Sequence, residues 1–263
     1  MSFESHFDGN VALVIGGASG ISYAVARALG LAGARVWIAD VDDDAGEKAA
    51  SSLRAEGSRA NFRSANVISE SSVERLVSEI VKSDEKIDIL FHGAGISNRL
   101  PVLKLPLEKW RNLIDVNLTG VFISNKAVGR FMVQKGYGRI INVASLPGVT
   151  EMGFTGNADY IAAKAGLVAF TRSLAGEFRD LNVDVTANLI GPGPTNTPMY
   201  RTGKPLDEIE HDKSIGTLSE PEDLVPTCLF LASRNSYYVS GQLIGFKNAL
   251  ASIPHARERV SLP

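Results

Sequence analysis

Two side chains four residues apart, Tyr160 and Lys164, raise the first chemical question of this sequence. On a helix, positions i and i+4 stack on one face, so an ammonium at 164 can stabilise a tyrosinate at 160. That would lower a phenol whose ordinary pKa is about 10 and let it exchange protons near neutral pH. The same pair also fits a plain cation–aromatic contact, and only its surroundings can decide between the two. Upstream, the run Asn142-Val143-Ala144 ends in Ser145, a second hydroxyl able to share a substrate oxygen with the phenol. Negative charge growing on a carbonyl oxygen in a dry pocket is what two such donors stabilise.

A second constellation lies near the N-terminus. Gly16-Gly17-Ala18-Ser19-Gly20-Ile21-Ser22 separates the apolar run Val11 to Ile15 from a helix of small and apolar residues, Ala24 to Leu31. Glycines allow a tight turn and close backbone approach to a pyrophosphate, while the free amides and dipole of the helix start attract its charge. Alone, such a loop fits an ordinary turn equally well. A second run ends at Asp40, about 20 residues further on, where a carboxylate accepts from both hydroxyls of an adenosine ribose and repels a 2'-phosphate. No Lys or Arg occupies the loop or the positions just after Asp40, so NAD is favoured and NADP less so. The competing reading of this stretch is a helix N-cap, because Asp42 to Asp44 open a helix.

These side chains need a frame, and short branched runs alternating with segments of helical period supply one. Val11 to Ile15, Ala34 to Ala39, Ala60 to Asn66, Ile87 to His92, Gly138 to Val143, Val183 to Leu189 and Gln242 to Phe246 read as seven strands. The expected fold class is α/β: a single Rossmann-like, doubly wound domain over residues 1–263, with a seven-stranded parallel sheet between helices. Ligands on such sheets bind beyond the carboxyl ends of the strands, so function belongs in the loops that follow them. Residues 195–220 read as a substrate lid and 247–263 as an atypical tail. With 263 residues and a formal net charge of -2, nothing suggests nucleic acid or an anionic membrane as partner. The start lacks a secretion signal and no window is apolar enough to span a bilayer, which predicts a cytoplasmic setting. The lone Cys228 reads as a buried thiol, and His211 and His255 as solvated side chains. No cluster has metal-ligand spacing, so no metal is expected.

Taken together, the glycine loop, Asp40, His92-Gly93-Ala94-Gly95, Val116-Asn117, Ser145, Tyr160/Lys164 and Asn188 to Gly193 resemble the short-chain dehydrogenase/reductase family over residues 8 to 245. The resemblance implies a nicotinamide enzyme acting on a small alcohol or carbonyl substrate. Catalytic roles would fall to Ser145 on the substrate oxygen, Tyr160 as acid/base, Lys164 on the nicotinamide ribose and Asn117 holding a relay water. Cofactor contacts would come from Gly16, Ser19, Gly20, Ile21, Asp40, Asn66, Val67, Gly93, Ala94, Gly95, Tyr160, Lys164, Pro192, Gly193, Thr195 and Thr197. It also implies a homotetramer or homodimer, built through helices near 107 to 135 and 157 to 178.

The chain departs from the family pattern at Ile15, Ser22 and His92-Gly93, where Thr, Gly and Asn-Asn are usual, and at Asn66, where Asp is usual. Ser22 is expected to crowd the phosphates or to reach one with its hydroxyl, and His92 to cap its strand. The family's last-strand Val-Asp-Gly-Gly is replaced by Phe246-Lys247-Asn248-Ala249. The leading functional expectation is interconversion of a secondary alcohol and a ketone, with a weak lean, by analogy alone, toward a small polyol or sugar. One alternative is a 3-oxoacyl thioester reductase, for which Arg99, Arg201 and Lys204 would meet an acidic carrier. Another is a nucleotide-binding sensor or scaffold of weakened catalysis.

Overall fold

Apolar strands buried on both faces are the mark of a parallel sheet covered by helices. The computed structural model describes residues 7–145, 156–214 and 216–246. In it, β1 (Val11–Ile15), β2 (Arg35–Asp40), β3 (Arg59–Ser64), β4 (Ile89–His92), β5 (Tyr137–Val143), β6 (Asp184–Gly191) and β7 (Leu243–Gly245) form one sheet in the order β3-β2-β1-β4-β5-β6-β7. All pairings are parallel. The seven expected strands are present, each displaced by no more than a few residues. Strand order reverses between β1 and β4, so the loops leaving them diverge and open a crevice.

Helices α1 (Gly20–Leu31), α2 (Asp43–Ala55), α3 (Glu70–Asp84), α4 (Leu107–Ile114), α5 (Gly120–Lys135), α6 (Ala158–Asp180), α7 (Pro198–Arg201), α8 (Leu206–Ser214) and α9 (Val225–Ala232) fill the connections. Alternate residues of one strand face opposite layers. Val14, Ile38 and Phe91 pack with Val25 and Leu29 of α1 and with Cys228 and Leu231 of α9. Leu13, Ile15 and Leu90 meet Val73, Leu76 and Ile80 of α3 and Val128 and Met132 of α5. Burial pushes the Cys228 thiol up to about 12, the inert buried cysteine that its apolar neighbours predict.

Polar ties hold the catalytic strand and helix together. Asn142 at the end of β5 exchanges two hydrogen bonds with Asn125 of α5, at 3.1 and 2.9 Å, and donates to Thr171 of α6 at 3.0 Å. Fully satisfied networks of this kind fix the register of packed elements. Between α4 and α5 the helix widens into a π-turn over Asp115–Thr119, where Gly120 N–H donates to Asp115 C=O. Among the described residues no helix is long and apolar enough to cross a membrane. Residues 146–155, between β5 and α6, lie outside the described residues, as does the tail 247–263 with His255.

Candidate active site

The β1 loop is built to let two backbones touch. Gly16 has φ +73°, and a Cβ there would stand 2.6 Å from Ala94 N in the loop after β4. Ser19, the residue preceding α1, is extended and makes no side-chain cap, and the first turn of α1 carries no acidic residue. By contrast Asp42 caps α2 through Ala45 N–H at 3.0 Å, and Ser69 caps α3. The first amides of α1 are thus left for a ligand anion. The capping role near Asp40 belongs to Asp42, while the Asp40 carboxylate accepts from Ala18 N–H at 3.2 Å and Val41 N–H at 2.8 Å. Asp40 therefore also stiffens the glycine loop.

One cavity of about 1090 Å³ runs from this loop to the catalytic helix. It is bordered by Gly16, Ser19, Gly20, Ile21, Asp40, Asn66, Val67, Gly93, Ala94, Gly95, Ser145, Tyr160, Lys164, Pro192, Gly193, Thr195 and Thr197. The size exceeds an ordinary small-molecule pocket. With the backbone cradle at Gly16 and the uncapped α1 start, it fits a dinucleotide with space beyond Tyr160 for a small substrate.

Asn117 alone of the expected set stands behind the cavity wall. It is fully buried in the π-turn, with Oδ1 accepting from Ile96 N–H at 2.8 Å and Nδ2 donating to Ile96 C=O at 2.9 Å. Its side-chain amide is engaged with the loop after β4. A Cβ on Gly95 would lie 3.3 Å from Asn117 Oδ1 and 3.8 Å from Lys164 Nζ, so these three groups converge.

The phenol also departs from expectation. Burial pushes the Tyr160 pKa above its usual 10, with the Ser145 hydroxyl drawing it back. Lys164 Nζ lies 5.5 Å from the ring centroid and donates to Val143 C=O at 2.7 Å. Burial thus outweighs the cation one helical turn away, and the phenol is shifted upward where the spacing predicted a lowering. Burial lowers the Lys164 ammonium as well, to about 8.

The departures after β1 and β4 prove to be linked. A Cβ on Gly93 would sit 2.1 Å from Ser22 Oγ, so the serine fills space that a side chain at 93 would need. Ser22 lines the cavity with its hydroxyl against Gly93 at the β4 exit, and the changes at 22 and 93 are one exchange of volume. His92, 1 % exposed, pairs in register with Ile15, yet neither ring nitrogen has a hydrogen-bond partner among the described residues. Asn66 Oδ1 already accepts from Ile68 N–H at 3.2 Å, leaving one lone pair toward the cavity.

Sequence reasoning missed how the segment 195–220 is held. Arg99 has φ +50°, rare for a residue with a side chain, and donates to the carbonyls of Met199, Tyr200 and Thr202. Lys204 binds Tyr200 Oη and Glu208, each at 2.8 Å, and Arg201 Nε donates to Asn196 at 2.7 Å. The three bases expected to greet an acidic carrier are engaged with groups of the segment 195–220. Nothing local in the sequence marks Arg99 for this task. Arg99→Ala should raise the substrate KM about tenfold and speed proteolysis within 199–214, with NADH affinity unchanged. An unaltered KM and cleavage pattern would show that the arginine does not latch the segment 195–220.

A parallel sheet with a phosphate-ready helix start, joined by one cavity to a serine, a tyrosine and a lysine, defines a dinucleotide-binding oxidoreductase architecture. The short chain dehydrogenase profile matches residues 10–205. A 3-oxoacyl-[acyl-carrier-protein] reductase of Synechocystis sp. is 35% identical over 234 residues, covering 88% of this chain and 93% of the relative. A 2-dehydro-3-deoxy-D-gluconate 5-dehydrogenase of Formosa agariphila is 33% identical, covering 90% of each. The crystal structure of a putative gluconate dehydrogenase from Agrobacterium tumefaciens superposes with a TM-score of 0.86 at 32% identity, covering 95% of this chain and 98% of that one. The chain belongs to the short-chain dehydrogenase family and is an oxidoreductase acting on CH–OH groups of small molecules with a nicotinamide cofactor.

Proposed function

We propose that the protein is an NAD(H)-dependent oxidoreductase that interconverts a small secondary alcohol and its ketone, a polyol or sugar in the first instance. The observation that carries this reading is the single cavity joining the glycine loop and Asp40 to Ser145, Tyr160 and Lys164. When bound, the nicotinamide supplies or accepts the hydride. Ser145 donates a hydrogen bond to the substrate oxygen and Tyr160 gives it a proton during reduction, both aimed at the atom on which charge grows. Burial keeps the phenol protonated until that charge appears, which suits an acid in the reducing direction. Lys164, charged below about pH 8, would hold the nicotinamide ribose hydroxyls and offset the charge of a tyrosinate.

The Asp40 carboxylate at the end of β2 supports NAD over NADP, because a 2'-phosphate there would meet a like charge. Asp40→Ala should cut kcat/KM with NADH by about 10- to 100-fold, the loss expected for a charged hydrogen bond, and raise that with NADPH by relieving the repulsion, so that the preference for NADH is eroded. Equal use of both cofactors by the parent enzyme would contradict the assignment.

A second reading, reduction of a 3-oxoacyl thioester, is favoured by the similarity to the acyl-carrier-protein reductase of Synechocystis. Against it stand Arg99, Arg201 and Lys204, each already engaged with groups of the lid. Turnover of acetoacetyl-coenzyme A compared with a panel of neutral ketones and ketoses separates the two. A third reading, a sensor or scaffold of weakened catalysis, predicts no turnover of either group. We also propose one domain over residues 1–263, a cytoplasmic setting and a homodimer or homotetramer assembled through α5 and α6. There Phe122, 45% exposed, meets Phe170 edge to face at 6.0 Å.

A further inference from the structure

The carboxylate immediately before Tyr160 has no part in the chemistry above, yet it is fully buried. Asp159 is 0% exposed, its Oδ1 accepts from Tyr160 N–H at 2.8 Å, and its Oδ2 accepts from Asn98 Nδ2 at 2.7 Å. Buried carboxylates are retained where every lone pair has a use, and this one holds the first turn of the catalytic helix α6. Asn98 spends its amide protons on two elements at once, because Nδ2 also donates to Lys109 C=O of α4 at 3.1 Å. One amide thus pins the loop after β4 to the helix that leads into the π-turn and to the start of the helix that carries the phenol. The neighbours of Asn98 do parallel work. Ile96 is clasped on both backbone groups by Asn117, and Arg99 grips the lid.

We propose that Asn98 and Asp159 form a positioning pair that sets where the Tyr160 phenol stands relative to Ser145, and that this bridge, more than the Tyr160/Lys164 spacing, aligns the acid/base. The inference rests on the oxidoreductase reading given above. The charged and titratable groups around the phenol are Lys164 on its own helix, 5.5 Å from the ring, Ser145 from the end of β5, and Asp159 at its backbone. If the bridge breaks, the start of α6 loses its only side-chain tie to the β4 loop among the hydrogen bonds of the described residues. The phenol then drifts from the Ser145 hydroxyl that eases its ionisation.

The bridge has a polarity, amide to carboxylate, and that polarity can be inverted. Asn98→Asp sets two carboxylates against each other at hydrogen-bond distance, where they must repel or share a proton. Adding Asp159→Asn restores a donor–acceptor pair in the opposite sense, and the new amide oxygen can still accept from Tyr160 N–H. The Lys109 carbonyl loses its donor in the single and double variants alike, so comparing the two isolates the bridge.

The experiment measures kcat and KM with NADH and the best neutral ketone of the panel. Alongside it, Tyr160 is titrated by ultraviolet tyrosinate absorbance, taken as parent minus Tyr160→Phe. Asn98→Asp should lower kcat at least tenfold with KM and NADH affinity within twofold, and move the phenol titration upward. The double variant should recover most of both changes. A double variant as slow as the single one, or a kcat loss that follows loss of folded protein in circular dichroism, overturns the proposal. Should the parent reduce no ketone at all, the oxidoreductase reading fails by itself, and the phenol titration of the three proteins still decides whether the pair positions Tyr160.

Discussion

Tyr160→Phe should fold normally, bind NADH with the affinity of the parent, and lose about 10²- to 10⁴-fold in turnover, the contribution of a well-placed proton donor. The substitution removes one oxygen from a ring whose packing is otherwise kept, so little stability is at stake. Ser145 would remain to hydrogen-bond the substrate oxygen, and the residual rate measures what that hydroxyl achieves alone. Steady-state kinetics beside NADH binding by fluorescence separates the two quantities. A variant that turns over as fast as the parent removes Tyr160 from the chemistry, and one that cannot bind NADH assigns it to the cofactor instead.

The second large effect concerns acid. Desolvation, reinforced by the nearby Lys164 charge, pushes buried His92 from an ordinary 6.5 down to about 3. The native state therefore refuses a proton that the unfolded chain takes up below pH 6.5. Stability is fully present above 6.5 and is lost as pH falls toward 3, at about 1.4 kcal/mol per pH unit. The full penalty is on the order of 4–5 kcal/mol, a large share of a typical folding free energy. His92→Asn, which cannot take up the proton, should lose about 2–3 kcal/mol less than the parent between pH 6.5 and 4.5, read from urea midpoints at both values. Parallel losses in the two proteins would show that the imidazole finds a partner or a way to water.

How much of this was legible in the sequence depends on whether the cause was local. Val11 to Ile15 and Ile87 to His92 announce themselves as strands because a strand buried on both faces must be apolar throughout. The glycine loop, Asp40, Ser145, Tyr160 and Lys164 were readable because each follows a strand or shares a helix turn, and the sheet then brings them to one cavity. The tasks of Asn117, Arg99 and Asn98 were hidden, since the bonds that define them span 21 to 103 residues. Tyr160 shows the same limit in energetic form. The i to i+4 spacing was right, but desolvation, which only the folded packing reveals, outweighs a cation that hydrogen-bonds elsewhere. Ser22 and Gly93 looked like two separate losses of a family pattern until their side-chain spaces were found to overlap.

The most direct test follows the transferred hydrogen. Incubated with NADH deuterated at the transferable C4 position and the panel of neutral ketones and ketoses, the parent enzyme should place deuterium on the carbinol carbon of at least one product, detected by mass spectrometry. Tyr160→Phe should leave that product nearly absent over the same interval. Intact ketones across the whole panel with the parent enzyme, or equal deuterium incorporation by the phenylalanine variant, would contradict an NAD(H)-dependent exchange at a CH–OH carbon governed by this phenol.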